Sequence, residues 1–189
     1  MRKMICILVV WLVAVAPLMA QQVPCLLPRQ EDDACREWVD KMLSGMSLKE
    51  KVGQTFVYTL SPEWNEKLVR RLAKKYKVGG LLFSGGEAGG QARLTNLAQQ
   101  ETEIPLMITF DGEWGLAMRL QDTPLFPKNA ALGCITNNSL IEEYGHEVAR
   151  ELRELGVHVN FAPDADVNTN PENPVINIRS FGGDPKAVA

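Results

Sequence analysis

Apolar and polar positions fall into short blocks that change period along the chain. TFVYTL (Thr55–Leu60), Leu81-Leu82-Phe83, PLMITF (Pro105–Phe110) and VHVNFA (Val157–Ala162) are short runs rich in β-branched, aliphatic and aromatic residues, the composition strands prefer. The segments between them repeat their apolar residues at steps of three and four. Asn65–Tyr76 carries Leu68, Val69, Leu72 and Tyr76, and Gln91–Gln100 carries Leu94 and Leu97. A longer segment opened by Ser139 carries Leu140, Ile141, Tyr144, Val148, Leu152 and Leu155 on one stripe, with Gly156 placed to stop it. Ahead of these, Glu37–Leu43 predicts a first helix. Ser47-Leu48-Lys49-Glu50 has the S-x-x-E spacing of a capping box, starting a short helix over LKEKVGQ. Gly79-Gly80 is placed to end the Asn65–Tyr76 helix, and Asp184-Pro185 opens another, with an acid at the cap and proline at the first helical position.

Four apolar strands alternating with helices predict an α/β fold with a parallel sheet covered on both faces. Two architectures fit: a small doubly wound sheet, or the N-terminal half of a (β/α)8 TIM-type barrel. The sequence given ends one turn into a helix that should cover the last strand, which favours the half barrel and predicts further residues beyond Ala189.

The first twenty residues follow a different logic. Arg2 and Lys3 precede the apolar run Ile5–Ala16, Pro17 interrupts it, and Ala20 offers a small residue for cleavage before Gln21. This is the pattern of an export signal, too short for a comfortable membrane span. The expected organisation is a signal peptide at 1–20, a polar lead-in at 21–45 and a barrel domain from 46 to 189. The expected location is exported, periplasmic or secreted, with no stable membrane insertion after cleavage. A net charge of -3, two units more negative without the leader, disfavours nucleic acid as a partner. Cleavage leaves Cys25, Cys35 and Cys134, an odd number, with a Cys25–Cys35 bridge and three free thiols both open. No cysteine or histidine spacing suggests a zinc site, and no other metal or cofactor is expected.

Chemistry in such folds collects where strands end. Asp111-Gly112-Glu113 directly follows PLMITF, and two acids at the end of a buried strand are costly without partners. Arg119, eight residues on, can return to the same mouth. An acid and a guanidinium facing one cleft suit a polyhydroxyl ligand; a structural Asp–Arg pair holding the loop is the equal alternative. Arg179, in NIRSFG, is placed to reach the mouth or to clamp its own loop through backbone carbonyls. The segment Pro163–Pro174 is rich in Asx and Pro, residues that support loops locally. Its Asp164, Asp166 and Asn168 alternate as in a calcium loop, but Thr169 and Val175 stand where such a loop needs glycine and glutamate. Gly85–Gly90 (GGEAGG) lacks the endings of the phosphate-binding loops and reads as a tight turn from strand to helix. His146 and His158 have no nearby ligand set.

The stretches MSLKEKVGQTF, KVGGLLF, PLMITFDGEWGLAMR and ARELRELGVHVNFAPDADVNTNPENPVINIRSFGGDPKAVA together resemble the N-terminal domain of glycoside hydrolase family 3, in its bacterial β-N-acetylglucosaminidase branch. The resemblance covers nearly everything after about Met46. It implies a retaining β-N-acetylhexosaminidase acting on carbohydrate with a terminal N-acetylhexosamine, with a β-glucosidase or a non-catalytic sugar-binding protein as alternatives. It also implies that Asp111, Arg119 and Arg179 bind the sugar in the first subsite. The family's histidine acid/base stretch and its nucleophilic aspartate have no counterpart before Ala189, so no catalytic residue is expected in this chain. Three positions depart from the family pattern: Trp114 replaces a usual glycine, Asp164 stands where an apolar residue is common, and Asn177 takes a place often held by glycine.

Overall fold

A computed structural model describes residues 33–61 and 65–189. The proposed signal segment and Cys25 lie outside the described residues. The chain divides into two compact units, up to Met46 and from Ser47 to Ala189. In the first, helix α1 (Asp33–Gly45) extends the predicted Glu37–Leu43 at both ends. Cys35 on this helix, like Cys134 in the second unit, is exposed.

The second unit opens with α2 (Leu48–Gln54). The capping box is formed: the Ser47 hydroxyl accepts from the Glu50 N–H, and the Glu50 carboxylate accepts from the Ser47 N–H at 2.8 Å. The order then runs β1 (Val57–Leu60), α3 (Glu66–Arg71) continued by a π-helical turn (Leu72–Tyr76), β2 (Gly80–Phe83), α4 (Ala88–Gln100) and β3 (Met107–Phe110). A 3-10 turn (Leu116–Met118) and the short α5 (Asn129–Leu132) precede α6 (Asn138–Glu154), β4 (Val159–Asn160), a second 3-10 turn (Asn177–Arg179) and α7 (Pro185–Val188). The four strands form one sheet in the order β1-β2-β3-β4, every neighbour pair parallel. A doubly wound sheet reverses direction at a switch point; this sheet adds each strand to the same edge, as a barrel wall does.

Strand alternation separates two faces. Leu60, Leu81, Phe83, Ile108 and Phe110 are at most 2% exposed and form the core with Val69, Leu72, Leu94, Ala98, Val148 and Leu152 from the helices. The opposite face carries Val57, Met107 and Val159, each more than a third exposed. The helical face of the sheet is therefore covered, while much of the face that would line a barrel is open.

Several boundaries differ from the sequence expectation for local reasons. The expected six-residue fourth strand contracts to two, because only Thr109 and Phe110 supply paired partners at that edge. The long helix starts at Asn138, not behind a Ser139 cap: the Asn137 side chain accepts from the Ser139 N–H. Leu140 and Tyr76 leave the expected apolar stripes and are exposed. The α3 segment ends in a left-handed Lys77 (φ 48) rather than at Gly79. Gly79 is required by close approach: a Cβ there would lie 2.0 Å from the Gln54 carbonyl oxygen. The basic face of α3 is knitted into ion pairs, Arg70 and Lys74 to Glu101 and Lys77 to Glu50, as a solvated outer face is. Among the described residues no helix is long and apolar enough to cross a membrane.

Glu50 joins the cap of α2 to the end of the π turn. Its hydrogen bond from Lys77, and those from the Ser47 backbone and hydroxyl, lower its pKa from 4.5 to about 2. A depressed carboxylate stabilises the fold above its unfolded pKa, and that contribution is lost as pH falls through the folded value. Glu50→Gln should therefore lower the urea midpoint at neutral pH, with the difference from the parent shrinking between about pH 4.5 and about pH 2. A difference independent of pH in that window would assign the loss to something other than the Glu50 charge.

Candidate carbohydrate site at the strand ends

The acid-rich end of β3 is fixed by its neighbour strand. The Asn160 side chain accepts from the Gly112 N–H at 3.0 Å and donates to the Gly112 carbonyl at 3.3 Å, so the backbone beyond Phe110 is held at both of its polar groups. The chain turns at once, with the Gly115 N–H bonding the Gly112 carbonyl, and enters the 3-10 turn whose Leu116 is buried. This turn carries Arg119 back over the strand end, where its Nη2 pairs with the Asp111 carboxylate. Both side chains keep about 30% exposure, so the pair faces an open mouth. The Arg119 Nε is buried and has no hydrogen-bond partner.

Glu113 is the residue whose role the sequence reading left unassigned. It is 5% exposed, and its carboxylate receives Arg179 in a two-pronged contact: Nε at 3.0 and 3.1 Å to the two oxygens, and Nη2 at 2.8 Å. Such a fork is the strong form of this interaction, and it neutralises a carboxylate that burial would otherwise make costly. The Glu113 carbonyl in turn accepts from the Tyr144 hydroxyl at 3.1 Å. Burial raises the Tyr144 pKa and keeps that donor protonated. Tyr144 packs edge-on against Phe126, ring centroids 5.2 Å apart. The signal for Glu113 in the sequence was its place two residues beyond Asp111 at the end of an apolar strand.

Arg179 reaches Glu113 from 66 residues away. It closes the 3-10 turn that begins at Asn177, whose φ of 35 is a conformation glycine adopts more readily. The buried Asn129 side chain donates to the Arg179 carbonyl at 2.7 Å. The neighbouring Ser180, 1% exposed, donates its hydroxyl to the Asp166 carbonyl at 2.6 Å. Glu113 is the main reason the guanidinium pKa rises above its ordinary value, with Asp164 and Asp111 adding charge. Both readings of Arg179 are therefore partly realised: it clamps its loop through the Val175 carbonyl at 3.4 Å and faces the acids at the mouth. The site thus gathers Asp111 with Arg119, and Glu113 and Asp164 with Arg179, from three segments.

The other candidates have local explanations. The Asx-rich loop supports itself, with Asp164, Asn170 and Asn173 accepting from the N–H groups of Asp166, Glu172 and Val175. Half of the GGEAGG loop belongs to α4, which begins at Ala88. The Asp122 carboxylate accepts from the Ala88 N–H at 2.8 Å, so the place where a phosphate would sit at that helix start already holds an internal anion. His158 Nδ1 accepts from the Ile108 N–H at 2.9 Å within the β3–β4 seam, while His146 is exposed on α6. Trp114 lies beneath the Lys128 ammonium, 5.0 Å from the ring centroid.

A parallel sheet with strands in sequential order, with acids and arginines gathered beyond the strand ends, defines the barrel class of α/β proteins whose ligands bind at that face. The chain belongs to glycosyl hydrolase family 3: residues 47–189 match its N-terminal domain. It is 32% identical over 165 residues to a Cellulomonas fimi protein named β-N-acetylglucosaminidase/β-glucosidase, covering 86% of this chain and 28% of that one. Among solved structures it resembles a family 3 β-N-acetylglucosaminidase from Paenibacillus (TM-score 0.66, 34% identity, 76% of this chain and 29% of the other). It also resembles a β-glucoside phosphorylase, BglX (TM-score 0.77, 25% identity, 85% and 29%). The chain thus spans less than a third of the length of these three proteins.

Two substitutions test how the site is held. Removing one partner of a buried pair strands the other; because the Arg179 side chain is 35% exposed, water recovers part of that loss. Glu113→Ala should lower unfolding free energy by about 1–3 kcal/mol in denaturant titration; a change below about 0.5 kcal/mol would mean that the fork contributes little. At the end of α5, a Cβ on Gly133 would stand 1.7 Å from the Phe181 carbonyl oxygen. Gly133→Ala must push back the segment that follows Arg179, so the midpoint of denaturant unfolding should fall. A parent-like midpoint would show that this segment shifts at little cost.

Proposed function

We propose that this domain supplies the first sugar subsite of an exported retaining β-N-acetylhexosaminidase that releases terminal β-N-acetylglucosamine. The observation that carries the reading is the convergence of Asp111, Arg119 and Arg179 beyond the strand ends of a family 3 domain. The Asp111 carboxyl oxygens accept hydrogen bonds from two sugar hydroxyls, and the N–H groups that Arg119 and Arg179 leave unused donate to sugar oxygens. In this reading the Asp111–Arg119 contact is a resting pair that holds both groups at the mouth. The names of the Cellulomonas and Paenibacillus relatives support the N-acetylglucosaminide substrate. The first of those names also covers β-glucosides, which keeps a β-glucosidase as the second reading.

Bond cleavage with retention needs a nucleophile and a proton donor flanking the glycosidic bond, about 5 Å apart when both are carboxyl groups. The proposed roles of Asp111, Arg119 and Arg179 are to bind and orient, so these two groups belong to the part of the family's length that lies outside this chain. Export rests on the Arg2–Ala20 pattern alone, and cell-wall fragments or host glycans are then the accessible substrates.

In the full-length polypeptide, Asp111→Ala should cut kcat/KM for a nitrophenyl β-N-acetylglucosaminide by about 100-fold, the scale of two lost hydrogen bonds to a charged group. Unchanged kinetics would remove Asp111 from the subsite. A parent enzyme faster on the matching β-glucoside than on the N-acetylglucosaminide would move the assignment to the second reading.

A further inference from the structure

Asp164 is the one carboxylate of the cluster that the binding scheme above leaves without a task. Its side chain is 6% exposed, beside an arginine side chain that is 35% exposed. One oxygen is committed to its own loop, accepting from the Asp166 N–H at 2.9 Å. The other, Oδ2, is buried, lies 3.2 Å from Arg179 Nη2 as an ion pair, and accepts from no N–H; the Asp166 carboxyl also faces the Asp164 carboxylate, which raises the Asp166 pKa. A buried carboxylate oxygen short of a donor is an unfavourable state that a ligand hydroxyl or amide N–H relieves.

The donor count on Arg179 points the same way. Of its five N–H groups, Nε and one on Nη2 go to Glu113 and one on Nη1 goes to the Val175 carbonyl, while Nη2 also lies 3.2 Å from Asp164 without a hydrogen bond to it. One N–H on Nη1 and one on Nη2 are left for a ligand. A guanidinium flanked by two carboxylates has its charge already compensated, with Asp111 adding further negative charge nearby. A sugar bearing a carboxylate at this place would bring another anion to a cation that has none to spare, whereas an uncharged sugar supplies the donor that Asp164 lacks.

We propose that Asp164 is a specificity-determining residue of the first subsite, accepting a hydrogen bond from an uncharged sugar and excluding sugars that carry an anionic substituent. The proposal rests on the sugar-binding assignment above. It differs from a purely structural role in what it does to ligand charge: a residue that merely held Arg179 in place would affect charged and uncharged sugars alike.

The test compares sugars with and without a carboxylate: glucose with glucuronic acid, in which the carboxylate replaces the 6-hydroxymethyl group, and N-acetylglucosamine with N-acetylmuramic acid, which carries a lactyl ether on O3, so that a charge effect is one seen in both pairs despite their different added groups. Their binding to the full-length polypeptide is measured by calorimetry, for the parent and for Asp164→Asn, which keeps the side-chain shape. The parent should favour the uncharged member of each pair, and Asp164→Asn should narrow that preference by about tenfold through tighter binding of the acid. Equal changes within both pairs, or no change, would overturn the proposal and leave Asp164 as a support for Arg179. Asp164→Glu, which restores the charge, should recover the preference at least in part; a Glu variant that behaves like Asn would also count against it. Failure of the sugar-binding assignment is separately visible, because the parent would then bind none of the four sugars.

Discussion

The buried carboxylate of Glu113 is the constraint on which the site depends. A carboxylate at 5% exposure, just beyond a strand whose last three residues are fully buried, is tolerable only with a cation delivered to it. Its own neighbourhood in sequence offers Arg119, but that side chain pairs with Asp111. The cation comes instead from Arg179, so the loop after β3 and the loop after β4 must meet for either to be stable. This requirement explains features that look unrelated along the chain. Asn160 fixes Gly112 so that Glu113 starts from a defined place, Tyr144 from α6 holds the Glu113 carbonyl, and Asn129 from α5 holds that of Arg179. Each bond secures backbone, which leaves the charged side chains to meet with little freedom to lose.

The same pairing shapes what the mouth can bind. Two arginines at one mouth suggest an anion site, yet each here already has a carboxylate partner, and Arg179 has a second nearby. Carboxylates outnumber guanidiniums, so the mouth offers acceptors as freely as donors. That balance fits a ligand of hydroxyl groups, each of which donates and accepts, better than a phosphate, which needs donors only. The GGEAGG loop obeys the same rule at lower cost, since Asp122 occupies the anion place at the start of α4.

Much of this was legible in the sequence, and the limits of legibility have physical causes. The four strands, the capping box at Ser47 and the Asp184-Pro185 helix start are written in local pattern and formed where local energetics dictate. Asp111 and Arg119 were readable because eight residues and one 3-10 turn connect them. The Glu113–Arg179 fork was not readable as a pair: it spans 66 residues, and nothing local marks which acid an arginine will reach. Strand ends were over-extended because β4 stops where its ladder partners stop, which is a property of β3 as much as of VHVNFA. Gly79 looked like a helix terminator because glycine often is one, while its actual constraint is the Gln54 carbonyl lying against its Cα.

The division of labour within the family 3 domain follows from these same contacts. Groups proposed to orient a sugar benefit from rigid placement, and the backbone that carries them is held by bonds from Asn160 on β4, Tyr144 on α6 and Asn129 on α5. Groups that break a glycosidic bond must reach it with a free atom. Both oxygens of Glu113 accept from Arg179, so at the mouth it serves to hold that guanidinium. Asp111, half-open and paired at one oxygen, is suited to holding hydroxyls. In this reading the loops after β3 and β4 supply recognition, and the open sheet face bearing Val57, Met107 and Val159 is where the rest of a barrel wall would stand.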